Sequence, residues 1–143
     1  MALVGIIRQV VETAQAVIDT IPDLVLSPAA VNARNTPNTT AERVYSLTMQ
    51  TANSGKFRDG SPGHMRYEHT LTVGLMCRIL PLNQLSGYNN AIDVEESVIL
   101  IMLDQANFPS YRVLYDRSRR TLSNSGEYVI TEIDFSIEQS AVI

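Results

Sequence analysis

Residues 65–79 read MRYEHTLTVGLMCRI, and this stretch decides the fold class. Met65, Tyr67, His69, Leu71, Val73, Leu75, Cys77 and Ile79 alternate with Arg66, Glu68, Thr70, Thr72, Gly74, Met76 and Arg78. A period of two held over this length requires a strand with one buried face. At roughly 3.3 Å per residue the strand reaches about 50 Å, more than a small domain needs. Its beginning is therefore expected to project as half of an extended β-hairpin. A shorter run from Glu42 alternates in the same way, with Tyr45, Leu47 and Met49 on one side and Val44, Ser46 and Thr48 on the other. Between the two runs lie Gly55, Gly60, Pro62 and Gly63, which are turn residues. The hairpin arm is read over residues 50–66.

Working outward, the period changes on both sides. Upstream, Leu3, Ile7, Val10, Ala14, Val17 and Ile21 recur at the helical spacing, widened by Val4, Val11 and Ile18. Arg8, Gln9, Glu12, Gln15 and Asp19 occupy the opposite face, so one helix with one buried side is expected, ending at Pro22. Residues 22–40 carry Pro22, Pro28 and Pro37 among asparagines and read as a long mobile loop, with a short strand at Leu24–Leu26. Downstream, Pro81–Asn90 reads as a second loop. Asn90 then reads as an N-cap, with Asp93 in the capping-box position and Asp93, Glu95 and Glu96 favoured by the helix dipole. The helix is placed over Ala91–Ala106, burying Ile92, Val98, Ile99, Met102, Leu103 and Ala106 and stopped by Asn107 and Pro109. Two strands close the chain. Tyr111–Asp116 is short, and Tyr128–Gln139 alternates Val129, Thr131, Ile133, Phe135 and Ile137 against Ile130, Glu132, Asp134, Ser136 and Glu138. Arg117–Gly126 reads as the polar turn between them.

The order helix, two strands, helix, two strands implies an α+β domain spanning residues 1–143. Its simplest packing is a mostly antiparallel four-stranded sheet with two helices on one face and an extended β-hairpin arm. The chain's 143 residues suit one core. A single cysteine excludes an intramolecular disulfide framework, and no run approaches the roughly 20 apolar residues of a membrane helix. No basic region precedes the apolar N-terminal stretch, and Arg8 and Glu12 interrupt it, so a cytoplasmic origin fits better than export. Net charge is −4 and unevenly spread: residues 91–143 hold four arginines against nine carboxylates. Such an acidic chain is a poor dedicated nucleic-acid binder. Only Lys56 among the eleven cations is a lysine, and arginine suits bidentate pairing at protein interfaces.

No catalytic constellation emerges from the residues. His64 sits in the Gly/Pro loop, and His69 sits on the apolar face of the strand. Five positions apart on an extended chain they point oppositely, so neither a shared metal nor a relay follows. Cys77 lies among apolar neighbours, where a thiol behaves as a small hydrophobe. Ser54-Gly55-Lys56-Phe57 lacks the first glycine and the hydroxyl of a phosphate loop. Glu132, Asp134 and Glu138 share one strand face and read as an acidic strip, solvated or facing an interface. Arg117, Arg119 and Arg120 cluster in the expected turn, where they would be solvated or dock an acidic partner. Neither a cofactor nor a metal is expected, and an enzymatic role is not.

Four features together resemble the tail terminator (tail completion) proteins of long-tailed bacteriophages. They are an apolar N-terminal helix ending in Pro22, a strand with a mobile extension in Glu42–Arg78, an acid-started helix at Ala91–Ala106, and a closing strand reading YVITEIDFSIE over 128–138. The resemblance covers nearly the whole chain and is a pattern of elements. It implies a non-enzymatic virion protein, assembled in the host cytoplasm and located in the tail or neck. Such a protein forms a hexameric ring that caps the tail tube and offers a surface to the head–tail connector, or stopper. On that reading Lys56, Phe57, Arg58, His64 and Arg66 of the arm, with Arg117, Arg119 and Arg120, contact neighbouring subunits or the tube protein. Glu132, Asp134 and Glu138 face a lumen through which DNA passes without specific binding, because a negative wall repels phosphates. A head-completion connector of the same virion is the nearest alternative. A small α+β ligand-binding module or enzyme is a further one.

Overall fold

A computed structural model describes residues 6–32, 41–51, 64–79, 84–109, 111–123 and 125–142; side chains are described within these except at residues 6–7, 50–51, 64–67 and 139–142. The alternating run becomes the strand at the centre of the molecule. In chain order the elements are helix α1 (Ile6–Ile18), β1 (Val25–Leu26), β2 (Arg43–Thr51), β3 (His64–Arg78), helix α2 (Gln84–Leu103), a 3₁₀ turn (Gln105–Asn107), β4 (Arg112–Leu122) and β5 (Tyr128–Val142). The strands form one sheet in the order β1-β2-β3-β5-β4. All neighbours are antiparallel except β1, which runs parallel to β2 with Val25 beside Val44. The fold is therefore α+β, as the sequence implies, with five strands rather than four. The fifth is the short strand of the proline-rich segment, which docks on the edge of β2 and continues as Ser27 N–H donates to the Tyr45 carbonyl at 2.7 Å.

Odd-numbered residues of the central strands form the covered face. Tyr45, Leu71, Val73, Leu75, Cys77, Val129, Ile133, Phe135 and Ile137 pack with Val10, Ala14 and Ile18 of α1 and Ala91, Val94, Val98 and Met102 of α2. The Tyr45 hydroxyl donates to Asp19 Oδ1 and ties the end of α1 to the sheet. Burial, and then the Asp19 carboxylate, push that phenol far above its ordinary value. Even-numbered residues form the open face. One end of it carries a second small cluster of Val31, Val44, Met76 and Ile130. Val31 belongs to a strap, residues 27–32, that crosses β3 at Gly74. A Cβ on Gly74 would lie 2.1 Å from the Val31 carbonyl oxygen, so only glycine allows the crossing. The Val31 N–H donates to Ser46 Oγ at 2.8 Å beside it. Part of the stretch read as a mobile loop, 22–40, is thus pinned to the sheet, while residues 33–40 lie outside the described residues.

Two boundaries differ from those the sequence suggests. Helix α2 begins at Gln84, so most of the stretch read as a loop up to Asn90 is helical. Ser86, Gly87, Asn89 and Asn90 are weak helix formers, but Gly87 lets the first turns lie against β3's end, where a Cβ would sit 2.4 Å from Ile79 Cγ2. Tertiary packing overrides local propensity there. The buried face turns accordingly: it holds Gly87, Ala91, Val94, Glu95, Val98 and Met102, whereas Ile92, Leu103 and Ala106 are exposed. Strand β4 continues to Leu122 and β5 begins at Tyr128, with Gly126 between them at a φ of 75°. Arg117, Arg119 and Arg120 therefore lie in a strand and not in a turn. Pairing with β5's carboxylates and with Glu95, described next, is what carries the strand through this polar stretch.

Candidate functional site

The arginines of β4 and the carboxylates of β5 are brought together by one irregularity. The β4–β5 register runs Val113 to Ile137 and Tyr115 to Phe135, then resumes at Arg117 opposite Asp134. Asp116 is the extra residue of a β-bulge, and it reverses which parity faces which side. Before the bulge odd residues face the helices. After it, Arg117 and Arg119 face the open side, while Ser118 and Arg120 face α2.

On the open side a cross-strand row links Thr48, Thr72, Asp134 and Arg117. Thr72 Oγ1 donates to Asp134 Oδ1 at 2.7 Å, and Arg117 Nε and Arg119 Nη1 donate to Oδ2 at 3.1 and 3.4 Å. Arg119 Nη2 also lies 3.7 Å from Glu132, and Arg112 Nη1 lies 3.5 Å from Glu138. Burial of Asp134 opposes ionisation, but Thr72, Arg117 and Arg119 outweigh it and hold the carboxyl below the ordinary aspartate range. The three carboxylates do share one strand face. They do not form a bare acidic strip, because each faces an arginine of the same chain. The arginines, expected to be solvated or to bridge subunits, spend donors within their own chain. A lysine at position 134 would face two arginines and harm folding, so reversing it tests the fold and not a channel wall.

The sign of the Asp134 effect sets a pH dependence. Its folded state favours the ionised form, so its stabilisation is complete above the unfolded value of about 4 and disappears as pH falls through the lower folded value. Urea unfolding should therefore show Asp134→Asn less stable than wild type at pH 7, with the gap closing in that acid range. A gap that stays constant with pH would mean that the ion pairs contribute nothing.

The same row lines a shallow cleft of about 380 Å³, bounded by Asn32 of the strap, Thr48, Thr70, Thr72, Arg117 and Glu132. Its wall is mostly polar, with Val31 the apolar residue.

On the helix side lies a residue whose part the sequence reading misplaced. Glu95 sits near the middle of α2, 4% exposed on the face packed against the sheet. Arg120 Nε and Nη2 donate to its two oxygens at 2.6 and 2.9 Å, and Ser118 Oγ donates at 3.0 Å. This bidentate pair clamps α2 to the edge strand. The signal was present: Glu95 falls four residues after Ala91 and three before Val98, inside the buried stripe, and a carboxylate there needs a cation.

Other candidates are dispersed. His69 is buried on the helix-covered face. Cys77 is buried, and that burial pushes its thiol up to about 11 despite nearby Arg43, so it is no nucleophile at neutral pH. His64 and Arg66 begin β3, paired with Val142 and Ser140, and their side chains are not among those described. Lys56, Phe57 and Arg58 lie outside the described residues. Among the described residues no three of His, Cys, Asp or Glu come together to hold a metal. No protein-family model matches the chain, and no curated protein matches it. What the fold provides is a set of salt-bridged strands and exposed surfaces, with no nucleophile–base pair among the groups described.

Proposed function

We propose that this protein is a structural ring subunit of a long-tailed phage virion, of the tail terminator kind, capping the tail tube and presenting a surface to the head–tail connector. The observation that carries this reading is the length of the β3–β5 ladder. It runs in unbroken register from Arg78 opposite Tyr128 to His64 opposite Val142, and the described part of β2 pairs with β3 as far as Thr51 opposite His69. Fifteen residues of strand span about 50 Å, and the thirteen residues of α1 only about 20 Å. A ladder that outreaches α1 by this much suits contacts with neighbouring subunits or with a tube. Of the arm expected over 50–66, residues 52–63 lie outside the described residues, and residues 64–66 belong to β3, paired with β5.

The role is structural rather than catalytic, and DNA passes the ring without specific binding. Among the described residues no helix is long and apolar enough to cross a membrane, and virion placement belongs to the proposal. Light scattering should give a particle near six times the 15.8 kDa chain mass, with an open bore in negative stain. Added to polymerising tail tube protein, it should shorten the tubes and decorate one end. Binding to filled heads but not to tubes would favour the connector role. A monomer indifferent to both would overturn the reading. The open-face cleft supports a second reading, a small-molecule module, which a thermal shift with polar metabolites in a stable monomer would favour.

A further inference from the structure

Helix α2 is apolar on two sides. Ala91, Val94, Val98 and Met102 face the sheet, and on the opposite side Leu85, Ile92, Leu100 and Leu103 are exposed, Leu85 and Leu100 at 76% and 63%. They share one outer sector of the helix, with the exposed Asn89 and Glu96 set among them. Apolar residues on a second, outer side of a surface helix are suited to cover from outside the chain. The stripe is also single-signed. From Gln84 to Leu103 there is no lysine, arginine or histidine; the exposed Asp93 lies beside the outer apolar residues and the exposed Glu96 among them.

The complementary surface is on the same molecule. Strand β4 holds four arginines against Asp116, and its outer edge pairs with no strand among the described residues. Leu114 is exposed on its open side and Tyr115 and Leu122 on its helix side, so the edge offers apolar atoms to a partner from both faces. Arg112 and Arg117 have side chains 65% exposed, while the carboxylates they pair with are at 19% and 7%, so the outermost charge is positive. A bulge and a row of cations are devices that keep another strand from adding to an edge, so this edge suits docking through side chains. The lengths also agree: α2's twenty residues span about 30 Å, and β4's eleven about 36 Å.

We infer that the outer stripe of α2 in one copy seats on the arginine-lined edge of β4 in the next copy. The two surfaces differ, so the contact is head-to-tail and generates a closed ring when its rotation closes. The inference rests on the ring reading for the identity of the occupant. It names the surfaces that reading leaves open.

Two variants test it, both altering exposed residues. Leu85→Lys with Leu100→Lys sets cations against β4. Leu114→Asp with Leu122→Asp sets acids against α2. Each should keep the wild-type circular dichroism spectrum and a cooperative unfolding transition, and sediment as a monomer. Mixed at high concentration, they should form a one-to-one dimer, since the first retains an intact β4 edge and the second an intact α2. Wild-type rings should also loosen in high salt. Rings that persist in either variant would overturn the inference and leave the ring reading standing. Variants that are both monomeric but give no dimer on mixing would also overturn it, because the contact would not then join α2 to β4. A monomeric wild type would remove both readings, and intact rings that ignore tail tubes would remove only the capping role.

Discussion

Arg120→Met is expected to lower unfolding stability by about 3 kcal/mol, because it leaves the Glu95 carboxylate buried without its cation. Ser118 remains as one donor, and water can enter beside the half-exposed position 120, so the loss falls at the lower end for a broken buried pair. The pair itself is a different matter. Taking two charges out of water costs about as much as their attraction returns, so Glu95→Leu combined with Arg120→Met should be near neutral. Denaturant titrations of the two single variants and the double variant give the coupling directly. If Arg120→Met cost no more than an ordinary surface change, the clamp between α2 and β4 would be an accident of packing. The cycle also separates two roles. A double variant that is stable but no longer forms rings would show that the clamp fixes α2's pose for an external contact.

Gly74→Ala is the second large effect, expected at about 2–3 kcal/mol. The added methyl would meet a backbone carbonyl, that of Val31, which cannot rotate away as a side chain would. The strap must lift, and the hydrogen bond from Val31 N–H to Ser46 Oγ lifts with it. Hydrogen exchange at the Val31 amide reads this event separately from global unfolding. Rapid exchange at Val31, with the β3–β5 amides still protected, would locate the damage at the crossing. A neutral substitution would show that the strap does not rest on β3.

The parts of the fold legible in the sequence were those set by periodicity. β3 and β5 were readable almost to their ends because one face of each is continuously buried and the other is not. Helix α1 was readable for the same reason. Helix α2 was harder, because apolar residues on both sides blur the stripe: Ile92 and Leu103 look like core residues by type and are on the outer side. Its early start was hidden by Ser86, Gly87 and the two asparagines, whose helicity depends on contact with Ile79. The polar half of β4 looked like a turn because three arginines in four positions carry no period of two. What makes them a strand is long-range, the carboxylates of β5 and Glu95 of α2. The candidate site was legible as a list of charged residues and not as pairs. Residue type placed Glu132, Asp134 and Glu138 on one face, but nothing local could say that their partners stood on the neighbouring strand.

The extra residue at Asp116 has a consequence for how this segment can change over time. Remove it, and the regular alternation would keep the same partners, with Tyr115 under the helices and Arg117 opposite Asp134; remove instead one residue between Arg117 and Arg120, and the side chains that follow would swap sides. Position 116 is therefore where this strand can lose its extra residue without exchanging partners, whereas the run from Arg117 to Arg120 tolerates altered letters but no change of count.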